Sequence, residues 1–193
     1  MSDKQLLPEV IVFAGPNGSG KTTIKKNART VGKYINADDI KRTIHCTDKA
    51  AAKTAEKLRE TAVQNHDDFT FETVLSTDRN LKLLKKAKDK GYFIRGFFIL
   101  TKNADINVAR VRVRVLDGGH DVPEDKIRSR YIKSLALLPS LIEVCDVLHV
   151  YDNTIEPVRI FKKRKTKYIA YKNELWSFEN IEKLTKVTNY SKA

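Results

Sequence analysis

The chain has 193 residues, 41% of them hydrophobic, which is enough apolar material for one sizeable core and too little length for two ordinary ones. Lysine plus arginine number 37 against 24 aspartates plus glutamates, a net charge of +13 that suits a polyanionic partner, either nucleic acid or a phosphorylated small molecule. Met1-Ser2-Asp3-Lys4-Gln5 is no basic leader into an apolar segment, and the longest apolar run, Phe97 to Leu100, is far too short for a membrane span. A membrane protein is thereby excluded and a cytoplasmic location expected.

Glu9 to Ala14 is a β-branched apolar run that stops at a Gly-Pro-Asn-Gly cluster, which predicts a buried strand entering a loop. A short helix is expected after Lys21-Thr22-Thr23, and a second strand over Lys33 to Asn36. Ala51, Ala55, Leu58 and Ala62 recur with helical spacing behind a Thr47 cap. Phe69 to Val74 predicts a third strand. Thr77 is expected to cap the following helix, with Leu81, Leu84 and Ala87 on its buried face and Gly91 at its end. Tyr92 to Leu100 is nearly continuous in apolar residues, as strands covered on both faces are.

Val108 to Val115 alternates like a strand but also fits a helix, with Ile106, Ala109, Val113 and Leu116 on one face. A helix capped by Asn103 or Asp105 is preferred because it keeps the βα rhythm. After Gly118-Gly119, Asp121 to Glu124 resembles a capping box for a long helix through Ile142. A fifth strand is expected over Val147 to Tyr151, a hairpin or added strand over Arg159 to Tyr171, and a polar helical tail after it. Cys46 and Cys145 lack metal-ligand spacing and read as reduced packing residues. The basic runs Lys82 to Lys90 and Lys162 to Lys165 read as solvated surface, since no aromatic residues interleave with them.

Gly15-Pro16-Asn17-Gly18-Ser19-Gly20-Lys21-Thr22 satisfies G-x-x-x-x-G-K-[ST] between a strand and a helix. Glycines let backbone amides close around phosphates, Lys21 reaches the β- and γ-phosphates, and Thr22 offers a hydroxyl to Mg²⁺; Thr23 completes the loop. ATP with Mg²⁺ is the expected cofactor pair. The wording is similar to that of ABC transporter ATPases, but their Leu-Ser-Gly-Gly-Gln signature is absent.

Asp38 and Asp39 follow the second strand at the sheet edge where open α/β folds bind ligands, and a carboxylate there can take the proton of an attacking hydroxyl. The alternative for either is a helix cap. Glu72, Thr73 and Ser76 crowd the end of the third strand, and a glutamate in an apolar strand is either paired or functional. Thr77 and Asp78 are reserved for capping. His120 is a candidate for phosphate or substrate contact, with a structural hydrogen bond as its other reading and no second ligand in favour of zinc. Arg110, Arg112, Arg114, Arg128 and Arg130 flank the Gly-Gly break, and planar cationic donors suit charge that develops on a phosphoryl group.

In order, these residues resemble the zeta-toxin family of P-loop kinases, in the branch labelled predicted ABC-type ATPase. The resemblance rests on Gly15 to Thr23, Ile35 to Ile40, Phe71 to Ser76, Arg114 to Glu124, Arg130-Tyr131 with Ser134-Leu135, and Val150 to Asn153. Zeta toxins phosphorylate the sugar 3′-hydroxyl of UDP-N-acetylglucosamine and are usually held silent by an antitoxin. The resemblance implies that Asp38 is the catalytic base, that Glu72 and Thr73 hold substrate, and that Arg114 and Arg130 are lid arginines. This chain departs from the better-known members at Asn36, where Asp is usual, at Glu72-Thr73, where Glu-Gly-Thr is usual, and in its Gly-Gly-His lid.

The expected fold is α/β, a P-loop NTPase fold with a mostly parallel five-stranded sheet, helices on both faces and an arginine lid near 108–130. One domain is expected over residues 1–193, with a core at about 8–155 and an extension at 156–193. The expected activity is phosphoryl transfer to a small-molecule acceptor, a nucleotide sugar, with an antitoxin as the protein partner. Two rivals stand beside it: a nucleotide-gated binding module, and a nucleic-acid end kinase supported directly only by the charge.

Overall fold

The computed structural model describes residues 7–193, so Met1 to Gln5 lie outside the described residues. Five strands form the parallel part of one sheet: β1 (Glu9–Ala14), β2 (Lys33–Ile35), β3 (Phe69–Thr73), β4 (Phe93–Leu100) and β5 (Val147–Asp152), in the order β2-β3-β1-β4-β5. The sheet has eight strands rather than five. β6 (Val158–Arg164) pairs antiparallel with β5, β7 (Lys167–Ala170) closes the hairpin, and β8 (Ser191–Lys192) adds a parallel edge.

The helices are α1 (Lys21–Lys26), α2 (Ala37–Ile44), α3 (Asp48–Asn65), α4 (Arg79–Asp89), α5 (Ala104–Leu116), α6 (Glu124–Ala136), α7 (Leu138–Val144) and α8 (Phe178–Thr185). Their inward residues build the main core, where Ala55, Leu84, Leu141 and Ile181 meet Val12, Phe71, Phe98 and Leu148 of the sheet. A smaller cluster on the opposite face joins Ile11, Phe13 and Ile99 to Ile24 and Ala28. Helices therefore lie on both faces. Each fully buried phenylalanine contributes roughly 1.5–3 kcal/mol of transfer free energy.

Several local expectations need correction. The long helix breaks at Leu137, because Pro139 has no N–H for the Leu135 carbonyl and its ring would crowd it; Leu137 N instead bonds Lys133 O and Ser134 O. The cap of α6 is Pro123, with no side-chain cap bond, so the capping box at Asp121 does not form. The cap of α4 falls on Asp78 rather than Thr77, and its carboxylate pairs with Lys82. α5 is a helix capped by Asn103, but it buries Asn107, Val108 and Val111 and leaves Val113 and Leu116 exposed. Helical spacing marked the wrong stripe there, because α6 packs on a face one residue round. The polar tail is helical only over α8. β4 is sealed on both faces only from Phe98 to Leu100.

β1 is buried on both faces and is flanked by β3 on one side and β4 on the other; the chain first runs outward to β2 beyond β3 and later crosses to β4 on the opposite side. The crevice at its C-terminal end is the switch point of the sheet, and the loop Gly15 to Gly20 fills it.

Candidate functional site

Backbone conformation explains the loop's composition. Gly15, Gly18 and Gly20 have φ of 142°, 77° and 88°, where a side chain is strained. A Cβ on Gly18 would also stand 2.5 Å from the Asn107 carbonyl oxygen, and one on Gly20 would stand 2.0 Å from Asn153 Nδ2. These close approaches are braces. Asn107 Nδ2 donates to Asn17 O, Asn153 Nδ2 donates to Ser19 O at 2.8 Å, and Gly15 N donates to Thr73 O at 3.2 Å. Arg110 fastens the second brace by donating to the carbonyls of Asn153 (2.7 Å) and Thr154 (3.1 Å). Tyr131 donates to Thr101 O at 2.6 Å, and Thr101 in turn bonds Asn107. The loop is thus held open by its surroundings before any phosphate arrives.

Lys21 folds back within that loop, its ammonium donating to Gly15 O at 2.8 Å and Pro16 O at 3.0 Å. Burial pushes it down to about 8, with Arg114 acting in the same direction, while the Glu72 and Asp38 carboxylates pull it up. Four predicted site residues from four segments therefore converge on one point.

The convergence lies in a cleft of about 1410 Å³ lined by the loop, α2, the end of β3, and the Gly118-Gly119-His120 turn. Asp38 and Asp39 occupy the first turn of α2, and neither caps it: Asn36 does, accepting from Asp38 N at 2.9 Å. Asp39 gives its carboxylate to Arg42, one turn along the same helix, and both line the cleft. Glu72 is both paired and facing the cleft. Tyr34 donates its hydroxyl to it, Lys25 lies 3.3 Å away, and the Lys25 ammonium sits 3.9 Å above the Tyr34 ring. Burial and that hydrogen bond raise the Tyr34 phenol far above its ordinary value, so it remains a donor.

Of the other predicted residues, Thr22, Thr73 and His120 line the cleft, and Ser76, Arg112, Arg128 and Arg130 do not. The Thr73 hydroxyl accepts from Leu75 N at 2.9 Å and Asn80 Nδ2 at 2.8 Å, which holds buried Leu75 at φ 53°. His120 reaches the cleft mouth, and its carbonyl accepts from Arg114 Nη2 at 2.5 Å. Arg112 is paired with Glu124, and Arg128 with Asp105 and Glu124, so both belong to the α5–α6 packing. Arg130 is directed at the loop, 3.4 Å from Asn17 Oδ1. Thr22 is exposed at the start of α1. No group of three or more His, Cys, Asp or Glu among the described residues forms a metal cage, and the Thr22 hydroxyl at the start of α1 is a group that could hold a Mg²⁺ beside bound phosphates.

Sequence reasoning missed Lys25, Tyr34 and Arg59. Lys25 lies one helical turn beyond Lys21, which is the signal available for it. Arg59 interrupts the apolar stripe of α3 at i+4 from Ala55; it is 8% exposed, stacks 5.1 Å from the Phe71 ring, and has its charge disfavoured by burial. Such an arginine makes sense beside an anion.

A sequence model described as Zeta toxin matches residues 2–175. An uncharacterized protein of Haemophilus influenzae is 33% identical over 129 residues, which cover 64% of this chain and 92% of that one. Among solved structures, one described by its work on the PezAT chromosomal toxin-antitoxin system of Streptococcus pneumoniae superposes with a TM-score of 0.61 at 17% identity, over 95% of this chain and 80% of its own. The AvrRxo1-ORF1:-ORF2 complex with ATP gives 0.71 at 14% identity, over 94% and 64%. At these identities the structural likeness shows the fold.

Proposed function

The chain belongs to the zeta-toxin family of ATP-dependent kinases, and from that premise we propose that it moves the γ-phosphoryl group of ATP, with Mg²⁺, to a hydroxyl of an anionic small metabolite, a nucleotide sugar such as UDP-N-acetylglucosamine. The charge of the cleft carries the acceptor class. Lys21, Lys25, Lys41, Arg42, Arg59, Arg79, Arg110 and Arg114 line it against four carboxylates, more cation than one triphosphate occupies. Beyond Glu56, Arg59, Arg79 and Asn80 it continues into a recess of about 230 Å³, room for the far end of an acceptor.

The residues fit the cofactor, since the glycine cradle has no space for a Cβ and, among the described residues, the Lys21 ammonium's hydrogen bonds go to the loop's own carbonyls. Bound Mg²⁺-ATP supplies the electrophilic phosphorus and offsets charge on the phosphate oxygens. Lys21 would exchange the Gly15 and Pro16 carbonyls for phosphate oxygens, and Thr22 would hold the metal. Asp38, engaged by the protein through its backbone N–H, keeps its carboxylate for the acceptor hydroxyl and takes its proton as the bond to phosphorus forms. Glu72, locked by Tyr34 and Lys25, orients the acceptor. Arg114 and Arg130 offset charge that builds during transfer. An antitoxin partner belongs to the same reading, on the precedent of the pneumococcal toxin-antitoxin neighbour.

The test is incubation with γ-labelled ATP and a panel of nucleotide sugars, nucleosides and oligonucleotides. Label in a nucleotide sugar is expected. Label confined to oligonucleotide ends would replace this acceptor with a nucleic acid, and release of label to water alone would remove the acceptor altogether.

A further inference from the structure

The face of the sheet that α1 covers over β1 is left part-exposed further out. Arg95 and Phe97 of β4, His149 and Tyr151 of β5, and Arg159 and Lys162 of β6 all lie there half-buried. Register sets Phe97 opposite His149, His149 opposite Lys162, and Tyr151 opposite Arg159. The rings form a row: Phe13 to Phe97 at 4.9 Å and 9°, Phe97 to His149 at 5.4 Å and 17°, His149 to Tyr151 at 6.3 Å and 29°. One end of the row is anchored in the core at Phe13, and the other emerges at Tyr151.

The polar groups of this face are cationic. Its carboxylate, Glu9, is already shared between Arg95 at 2.8 Å and Arg29 at 3.6 Å. The Arg159 guanidinium lies 4.9 Å above the Tyr171 ring. Two polar atoms, His149 Nδ1 and Arg159 Nε, are buried without a protein partner among the described residues. Burial, then Arg159, Lys162 and Arg95, push His149 down to about 4, so at neutral pH its ring is an uncharged surface among cations.

We infer that this face binds single-stranded nucleic acid, with bases stacked on His149 and Tyr151 and backbone phosphates on Arg159, Lys162 and Arg95. Rings interleaved with cations are what such strands require, because every base offers a flat face and every linkage a negative charge. A duplex hides its base faces, so the row discriminates against it. A second copy of this chain would bring another +13 against the same cations. The interleaving is invisible along the sequence, where Lys162 to Lys165 is an unbroken basic run whose adjacent aromatic, Phe161, is buried; strand pairing supplies it. The inference is independent of the phosphate loop and of the acceptor proposed above.

The experiment is fluorescence anisotropy with labelled oligouridylate and oligothymidylate of about 12 nucleotides and a duplex of equal length, between about 50 and 200 mM salt. Both single strands are expected to bind at least tenfold more tightly than the duplex. Tyr151→Ala should weaken binding by about tenfold or more, and Lys162→Gln should reduce the salt slope by about 0.7. Lys85→Gln, on the exposed side of α4 across the sheet, should leave affinity within twofold. Should Tyr151→Ala not fold, Tyr151→Leu keeps the apolar bulk and loses the ring. Wild-type affinity in the folded Tyr151 variant, duplex binding as tight as single strand, or a face that shows only concentration-dependent self-association would each overturn the inference.

Discussion

Replacing Lys21 by methionine should leave the free protein as stable as before or slightly more so, while abolishing ATP binding. A lysine at about 8 instead of 10.5 has lost about 3 kcal/mol of preference for its charged form, and at pH 7 the folded chain still carries that charge. The substitution removes this penalty together with two hydrogen bonds to the Gly15 and Pro16 carbonyls, which edge a wet cleft and are worth about 1 kcal/mol each. The balance favours the variant by about 1 kcal/mol at neutral pH. Because the folded value is lowered, between about pH 8 and 10.5 the unfolded wild-type chain holds a proton that the folded one has released, so wild-type stability rises with pH through that window. The wild-type minus variant difference should therefore climb by about 3 kcal/mol from pH 7 to above 10.5, and taking the difference cancels the tyrosines and other lysines that titrate nearby. Urea unfolding followed by the fluorescence of the single, buried Trp176 reads it directly. A variant that loses about 2 kcal/mol or more at pH 7, or a difference that stays flat with pH, would show that Lys21 is not desolvated in the free loop.

Asp38→Asn should lower single-turnover transfer by roughly 10²–10⁴-fold with ATP affinity retained, whereas Asp39→Asn should cost little turnover, since that side chain pairs with Arg42; the reverse pattern would move the base to Asp39. Arg114→Ala is expected to lower kcat more than it raises KM for ATP, with Arg114→Lys rescuing only in part because an ammonium lacks the planar fork. Full activity in Arg114→Ala would pass its role to Arg110, the other arginine of α5 that lines the cleft. Gly18→Ala has to hold φ near 77° and displace Asn107, so calorimetry should find ATP affinity at least tenfold weaker and the melting temperature lower; unaltered binding would mean that the Asn107 brace is dispensable.

The phosphate loop was legible because its requirements are local. A glycine at each positive φ, a lysine and a hydroxyl are consecutive in the chain, and the strand before them and helix after them are marked by composition. The parallel strands were equally plain, since burial on both faces leaves uninterrupted apolar runs such as Val10 to Ala14. What could not be read was anything set by partners distant in sequence. A hairpin or added strand is expected over Arg159 to Tyr171, and β6 and β7 form it, but its place in the sheet is set by the free edge of β5, which recruits β6 by pairing and not by its own pattern. Asp38 and Asp39 were indistinguishable as adjacent carboxylates; Arg42, one turn along, takes one and leaves the other. Glu72 shows why the alternatives posed from sequence were themselves too narrow. A buried glutamate was expected to be either paired or functional, yet Tyr34 and Lys25 come from two other segments to pair it while it still faces Lys21 across the cleft. Pairing fixes where that carboxylate stands: Tyr34 and Lys25 hold it where it acts on Lys21, so the packing of the site and its arrangement of charge rest on the same contacts.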